Sequence, residues 1–358
     1  MKTRWIVAVA CLTLAACASH EHAGGPTLGT IVRKDPRFDQ LIPPGARMEI
    51  LAGGFDWTEG PVWVKDGGYL LFSVIPPNKV CKWKEGEGAS IYLKPSGLTG
   101  PKDLRAEPGS NGLILDPQGR LVLCQHGDRR MARMDAPLSA PAPKFVTLAD
   151  KHDGKKLNSP NDACYHSSGA LYFTDPPYGL AQRMEDPTKE LDFQGVYRLG
   201  TDGKLTLLTK EVTRPNGIAF SPDEKTLYVA SSDPDKAVWH AYPVNADGTL
   251  GKGRIFADFT KDVGKVKGLP DGLKVDVHGN LFATGPGGVV VFAPDGTHLG
   301  TLSTGQATSN CAWGEDGSTL FVTADQYLDG HVWPGQWFGG EYPTTDVIWT
   351  FFATHPRS

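Results

Sequence analysis

One stretch of the sequence decides the fold: SPNDACYHSSGALYFTDPPYG, residues Ser159–Gly179. It begins with an amide and a carboxylate, Asn161 and Asp162, and continues as a short apolar segment. A Ser-Ser-Gly turn leads into a second apolar segment, which ends at a Pro-Pro corner. This pattern predicts two antiparallel strands joined by a tight turn.

The same layout of strand, polar turn and strand returns along the chain. The six copies begin at Gly60, Asn111, Asn161, Asn216, Asp271 and Ser309. Most are followed by a second pair of strands, such as Gly195–Lys210 and Gly288–Ser303, in which Asp-Gly makes the turn. Four strands per unit, repeated six times at roughly 40 to 55 residues, are typical of β-propeller blades. The sequence therefore predicts an all-β fold, a six-bladed β-propeller with four antiparallel strands per blade. A β-sandwich or two small barrels would not explain a sixfold count.

An extra strand is expected at Met48–Gly54, before the first copy, and the last copy lacks its outermost strand. Pairing the two would close the ring and cover the sheet edges. The propeller domain is therefore predicted to span residues 47–358.

The composition agrees with this fold and excludes several classes of protein. The 358 residues include 43 Gly and 28 Pro, which favour short strands and tight turns. The net charge is -4 with no block of Lys or Arg, so no nucleic-acid partner is expected. No apolar run reaches the length of about 18 residues that spans a membrane.

The first residues have the features of an export signal. Lys2 and Arg4 precede the apolar stretch Trp5–Leu14, and Leu-Ala-Ala-Cys, ending at Cys17, resembles a bacterial lipobox. Ordinary cleavage within the small residues around Cys17 is the alternative. Residues 1–17 are thus predicted to be a signal peptide and residues 18–46 a tether with little order. The protein is expected to be exported, as a periplasmic protein or as a membrane-anchored lipoprotein, and a lipid on Cys17 is the one membrane attachment expected.

Propeller topology explains the polar residues at the heads of the strands. The innermost strands all begin near the axis, so their first residues should ring one mouth of the central channel. These residues are Glu59, Asn111, Asn161, Asn216, Asp271 and Asn310. Each offers an oxygen, which suits a hard cation, and Ca²⁺ is the natural choice outside the cytosol. Glu59 and Asp271 would balance its charge, while Asn161 and Asn216 would complete the ligand set.

The loops after the second strands share this face. The longest runs from Asp175 to about Gln194, and it is either a lid over the mouth or a variable surface loop. His126, with Arg129 beside Arg130, is a candidate for substrate contact, although loop histidines are often structural.

These residues resemble the gluconolactonase family, also called the senescence marker protein/luciferin-regenerating-enzyme-like family. The matching motifs cover the chain from about Arg47 onward. They are EGPVW (Glu59–Trp63), LNSPNDA (Leu157–Ala163), FTDPPYGL (Phe173–Leu180), RPNGIAFSPD (Arg214–Asp223), PDGLKVD (Pro270–Asp276) and TSNCAWG (Thr308–Gly314).

The resemblance implies a six-bladed propeller with a divalent cation, usually Ca²⁺, on its axis. It implies that the metal ligands are Glu59, Asn161, Asn216 and Asp271, with Asp271 as general base and Asp162 as a second candidate. It also implies hydrolysis of sugar lactones. Animal members have an arginine where this chain has Ser159, so their sugar specificity does not carry over. Substrate contacts are therefore expected from Asn161, His126, Arg129, Tyr178, Asn111 and Asn310.

The predicted function is hydrolysis of an aldonolactone, such as glucono-1,5-lactone, by a metal-activated water. Two alternatives remain. The same site could act on other lactones, aryl esters or phosphotriesters, or the propeller could be a binding module without catalysis. A serine-esterase mechanism has no support, because the chain has no G-x-S-x-G motif.

Overall fold

The computed structural model describes residue 27, residues 29–101, 107–315 and 317–325, and the backbone of residues 346–352. The predicted signal peptide and Cys17 lie outside the described residues, so export and lipidation stay predictions. No helix in the described part is long and apolar enough to cross a membrane.

The chain folds as an all-β propeller, as predicted. Before the blades come a strand β1 (Thr30–Arg33), a short helix α1 (Phe38–Leu41) and a strand β2 (Met48–Phe55). Five blades then follow, each with four sequentially ordered antiparallel strands from one continuous segment. Blade 1 contains β3 (Thr58–Val64), β4 (Tyr69–Val74), β5 (Lys79–Lys84) and β6 (Gly88–Leu93). Blade 2 contains β7 (Ser110–Leu115), β8 (Leu121–Gln125), β9 (Arg130–Met134) and β10 (Phe145–Ala149).

A two-stranded ribbon, β11 (Lys151–His152) and β12 (Lys155–Lys156), leads into the other blades. Blade 3 contains β13 (Ala163–Tyr165), β14 (Leu171–Asp175), β15 (Gly195–Leu199) and β16 (Leu205–Thr209). Blade 4 contains β17 (Pro215–Phe220), β18 (Thr226–Asp233), β19 (Lys236–Pro243) and β20 (Arg254–Asp258). Blade 5 contains β21 (Leu273–Val275), β22 (Leu281–Gly285), β23 (Gly288–Phe292) and β24 (His298–Ser303).

A further sheet is formed from the two ends of the chain. Its strand order is β2, β27 (Asp346–Phe352), β26 (Thr319–Asp325) and β25 (Ala307–Gly314). The strand predicted at Met48–Gly54 is thus present as β2, and it runs antiparallel to β27. The count of six blades and the closure of the ring by β2 stay predictions at this point.

The turns inside the blades follow from their sequence. In blade 2, the carboxylate of Asp116 accepts hydrogen bonds from the backbone N–H groups of Gln118 and Arg120, at 3.0 and 2.8 Å. Gly119 completes the turn with a φ of +75°, which is costly for other residues. Asp276 and Gly279 repeat the arrangement in blade 5. The Asp-x-x-Gly sequence therefore encodes the inner hairpin directly.

The hydrophobic cores lie between neighbouring blades. Trp239 of blade 4 is fully buried and packs edge-on against Phe292 of blade 5, with ring centroids 5.3 Å apart. A single blade is one sheet thick and cannot bury its own faces, so stacking around the axis is what creates the core.

The segment predicted to be a tether is ordered in its described part. Strand β1 adds to the outer edge of blade 5 by pairing with β24. Phe38 and Ile42 are fully buried, and Arg33 donates hydrogen bonds to the carbonyl oxygens of Ile42 and Pro43 at 2.7 and 2.8 Å. The expectation of little order over residues 18–46 therefore does not hold here, because an open sheet edge recruits the segment as a fifth strand.

Candidate functional site

The head residues of the inner strands lie together at the propeller axis. The first strands of neighbouring blades contact one another around it. Glu59, Asn111, Asn161, Asn216 and Asn310 are at most 4% exposed, and Asp271 is partly buried. The ring that topology predicts from the sequence is thus present.

Glycine allows the inner strands to approach so closely. A Cβ added at Gly112 would lie 2.6 Å from the carbonyl oxygen of Asn161, and one at Gly217 would lie 2.2 Å from that of Asp271. Both glycines directly follow a head residue, Asn111 or Asn216. The glycine of each Asn-Gly pair is therefore needed for close packing of the backbones at the axis, and the pair is more than a turn signal.

Hydrogen bonds between blades fix the positions of the head residues. Ser73 on blade 1 donates to the carbonyl oxygen of Asn111 at 2.7 Å, and Thr174 on blade 3 donates to that of Asn216 at 2.7 Å. The Gly112 amide donates to the carbonyl of Asn161, also at 2.7 Å. Each inner strand is thereby held in register by its neighbour.

Three carboxylates come together on this ring. Asp162 is 2% exposed, and its charge acts on both Glu59 and Asp271. Burial, followed by repulsion from Glu59 and then Asp162, holds the pKa of Asp271 well above its usual value. Burial raises the pKa of Glu59 to about 8, and the charges of Asp162 and Glu107 act in the same direction. Burial also raises the pKa of Asp162, although Lys274 opposes the rise. Without a cation, the site therefore disfavours the ionised forms of these three carboxylates.

Several side-chain oxygen atoms of the site accept no hydrogen bond within the described structure. The side-chain oxygens Asn111 Oδ1, Asn216 Oδ1, Asp162 Oδ2 and Asp271 Oδ1 are buried and accept no hydrogen bond. Leaving a buried acceptor without a hydrogen bond costs on the order of 1–3 kcal/mol of stability. Four such oxygen atoms in one ring therefore favour the binding of a positively charged group. These donors are carboxylate and amide oxygens, which a hard divalent cation prefers. The residues present therefore fit the expected Ca²⁺. The described residues contain no group of three or more His, Cys, Asp and Glu side chains with metal-binding geometry. A cation here would therefore also need the side-chain amide oxygens as ligands.

Asn310 is engaged inside the protein. Its Nδ2 atom donates to Glu59 Oε2 at 3.3 Å, and its Oδ1 atom accepts from the amide of Cys311 at 2.8 Å. Lys274 lies on the other side, with its Nζ atom 3.5 Å from Asn310 Oδ1. Asn310 thus orients Glu59. The predicted substrate contact of Asn310 stays a prediction.

His126 is fully buried and is held by an acid that the sequence analysis missed. Its Nδ1 atom lies 3.1 Å from Glu107 Oε2, while its Nε2 atom is buried without a partner in the described structure. Glu107 Oε1 lies 3.4 Å from a guanidinium nitrogen of Arg183 in the long loop. Glu107 lies in no repeat motif, so only the tertiary contact reveals it.

Arg129 is bound to backbone oxygens. Its Nε atom donates to the carbonyl oxygens of Leu157 and Asn158, at 2.8 and 3.0 Å, and its Nη1 atom donates to that of Thr188 at 2.9 Å. This side chain therefore ties the long loop to the segment before Asn161, and its predicted contact with substrate stays a prediction.

Tyr178 comes from the long loop, whose Leu180 and Leu191 side chains are buried. The guanidinium of Arg183 lies 5.7 Å from the centre of the Tyr178 ring. Burial raises the pKa of Tyr178, and the charge of Asp271 adds to the rise. Tyr178 is therefore close enough to Asp271 for the charge of that carboxylate to affect it. Ser159 donates to the carbonyl of Pro176 at 2.5 Å and so anchors the same loop.

The family described as the SMP-30/Gluconolactonase/LRE-like region matches residues 57–326. The chain belongs to this family. Members similar to it include a gluconolactonase of Zymomonas mobilis, 42% identical over 326 residues, covering 89% of this chain and 90% of that protein. Pentonolactonase XacC of Haloferax volcanii is 32% identical over 273 residues, covering 74% of this chain and 80% of that protein.

A solved structure in the family has a similar fold. XC5397 from Xanthomonas campestris, described as a gluconolactonase important in glucose secondary metabolic pathways, superimposes with a TM-score of 0.72. It is 30% identical in sequence, and the match covers 93% of this chain and 99% of that one.

Proposed function

We propose that this protein hydrolyses a sugar lactone, an aldonolactone such as glucono-1,5-lactone, to the aldonic acid, with Ca²⁺ bound at the propeller axis. One observation carries the proposal: the carboxylates of Glu59, Asp162 and Asp271 interact there, and the buried Oδ1 atoms of two proposed ligands, Asn216 and Asp271, accept no hydrogen bond. The names of the similar proteins, gluconolactonase and pentonolactonase, support the substrate class.

The ligands proposed for the cation are Glu59, Asn161, Asn216 and Asp271. When bound, such a cation supplies Lewis acidity that polarises the lactone carbonyl. Asn216 is already oriented for this role, because its Nδ2 atom donates to Ser232 Oγ at 2.8 Å and leaves Oδ1 unpaired.

Asp271 is the proposed general base. Of the three acidic residues, Asp271 keeps partial exposure to solvent, whereas Glu59 and Asp162 are each 2% exposed, so water reaches Asp271 more readily. Asp271 takes a proton from water while the water oxygen bonds to the carbonyl carbon. The bond from that carbon to the ring oxygen then breaks, and the proton passes to the ring oxygen, which leaves as a hydroxyl group. Asp162 is the second candidate for the base.

Substrate hydroxyl groups are proposed to contact His126, Tyr178 and Asn111. The unpartnered Nε2 atom of His126 and Oδ1 atom of Asn111 support this assignment. Glu107 fixes the imidazole orientation through the 3.1 Å contact with Nδ1.

We also infer that the ring has six blades, with the sheet of β25, β26, β27 and β2 as the sixth. The antiparallel pairing of β2 with β27 supports closure by the N-terminal strand. So does the hydrogen bond from Ser309 on β25 to the carbonyl of Thr58 on β3, at 2.7 Å. Export, with a lipid on Cys17, remains part of the proposal.

The test is hydrolysis of glucono-1,5-lactone above its spontaneous rate, measured with chelator and with added Ca²⁺. We expect chelation to abolish turnover and Ca²⁺ to restore it. Asp271→Asn should lower kcat by about 10²–10⁴, the usual contribution of a general base. Asp66→Asn, at an exposed position of the short 3₁₀ helix Lys65–Gly67, is the matched control and should keep wild-type rates.

Absence of turnover in a folded protein that binds Ca²⁺ would rule out the aldonolactone. Turnover of other lactones, aryl esters or phosphotriesters by that protein would redirect the assignment. No turnover of any of these would favour a binding module.

A further inference from the structure

Lys274 places a positive charge inside the acidic site. It lies on the inner strand β21, three residues after Asp271. Its Nζ atom donates to the carbonyl oxygen of Leu273 at 3.0 Å and lies 4.0 Å from Asp162 Oδ2. Its side chain is only 26% exposed, whereas that of Lys225, in an outer turn, is 81% exposed. The ammonium group is therefore held in the channel and is not a solvated surface charge.

Lys274 forms an ion pair with Asp162, one of the three carboxylates of the site. Lys274 also affects groups on several blades: its charge lowers the pKa of Asp162, Cys124 and Cys311, against the rise that burial causes in each. The lysine thus faces the axis, where the blades converge.

The charges at the axis do not balance without Lys274. Glu59, Asp162 and Asp271 together carry one more negative charge than a divalent cation can neutralise, and an uncompensated buried charge is strongly unfavourable. The charge of Glu107 also acts on Glu59 and Asp271, but Glu107 faces the guanidinium of Arg183 at 3.4 Å. One ammonium group supplies the missing positive charge. It stands beside Asp162, not beside the proposed ligands Glu59 and Asp271.

We propose that Lys274 is a built-in counter-ion, which neutralises Asp162 and leaves Glu59 and Asp271 to balance a divalent cation. This inference rests on the cation site of the proposed function. It assigns Asp162 to charge balance, so Asp271 is the base. The amide of Asn310 is held independently by the backbone N–H of Cys311 at 2.8 Å, so Lys274 acts on the metal centre through its charge.

The inference predicts opposite effects for the two members of the pair. Lys274→Met leaves Asp162 uncompensated near the cation, so the Kd for Ca²⁺ should fall by about tenfold or more. Asp162→Asn leaves the ammonium uncompensated, so the Kd should rise by about tenfold or more. The double variant D162N/K274M removes both charges and should bind Ca²⁺ within about threefold of the wild type.

Isothermal titration of the chelator-treated protein with CaCl₂ measures these constants without relying on activity. Lys274→Arg keeps the charge and should leave the Kd nearly unchanged. Lys225→Met is a matched control that removes an exposed lysine and should also leave it unchanged. If Lys274→Met does not fold, the comparison of Asp162→Asn with the double variant still decides, because neither contains an unpaired carboxylate at position 162.

Three outcomes would overturn the inference. The first is a Kd of Lys274→Met that equals or exceeds that of the wild type. The second is a double variant as weak as Asp162→Asn, which would make Asp162 a metal ligand. The third is a Lys225→Met variant that changes as much as Lys274→Met. Wild-type protein that binds no Ca²⁺ would instead refute the cation site itself, so the two failures are distinguishable.

Discussion

Removing the cation should make the stability of this protein fall as the pH rises from about 5 to about 8. Burial raises the pKa of Glu59 from 4.5 to about 8 in the metal-free fold. Between these values the folded state holds a proton that the unfolded state has already released. The resulting stabilisation is complete below the unfolded pKa and is lost as the pH approaches the folded pKa.

The size of the effect follows from the pKa difference. At pH 7, about 2.5 pH units above the unfolded pKa of Glu59, the loss of stability is about 3–4 kcal/mol at roughly 1.4 kcal/mol per unit. For a chain of this size, that corresponds to a fall of about 5 °C in Tm. The raised pKa of Asp271 acts with the same sign.

Thermal unfolding in chelator at pH 5, 6, 7 and 8 measures this fall. Glu59→Gln cannot ionise, so its Tm should fall by about 5 °C less than that of the wild type over this range. Glu211→Gln, at an exposed position, is the control and should follow the wild type. Saturating Ca²⁺ should remove most of the fall in the wild type, because the cation stabilises the ionised carboxylates. Parallel curves for wild type and Glu59→Gln in chelator would refute the reasoning.

Two further predictions test substrate positioning and the packing at the axis. Glu107→Gln weakens the contact that orients the His126 imidazole, so KM should rise about tenfold while kcat changes less than about threefold. Steady-state kinetics measures both constants. An unchanged KM would contradict the role of Glu107 in orienting His126. Gly217→Ala puts a Cβ 2.2 Å from the carbonyl oxygen of Asp271 and should lower the free energy of unfolding by about 1–3 kcal/mol in a denaturant titration. Gly45→Ala, where nothing lies within 4 Å of the added Cβ, is its control, and equal stability of the two variants would contradict the packing argument.

Local sequence predicts the parts of this protein that repeat. Each inner hairpin carries its own turn residues, so Asp116 and Gly119 specify a turn wherever they stand in the chain. The head residues could be placed on one ring because propeller topology brings equivalent positions to the same end of the axis. The N-terminal segment shows the limit of such reasoning. The β-branched residues of Thr30–Arg33 favour a strand, but they do not indicate its partner β24, which lies far along the chain.

The sequence by itself determined the all-β propeller, its hairpins and the oxygen-bearing residues at the axis, since these depend on short-range patterns repeated around one centre. Only the tertiary structure decided how the charges are arranged. Glu107 meets His126, and Lys274 faces Asp162, across different blades and loops. The pKa shifts follow from burial and from charges that folding brings close together. The spacing of residues along the chain predicts neither the burial nor the distances between the charges.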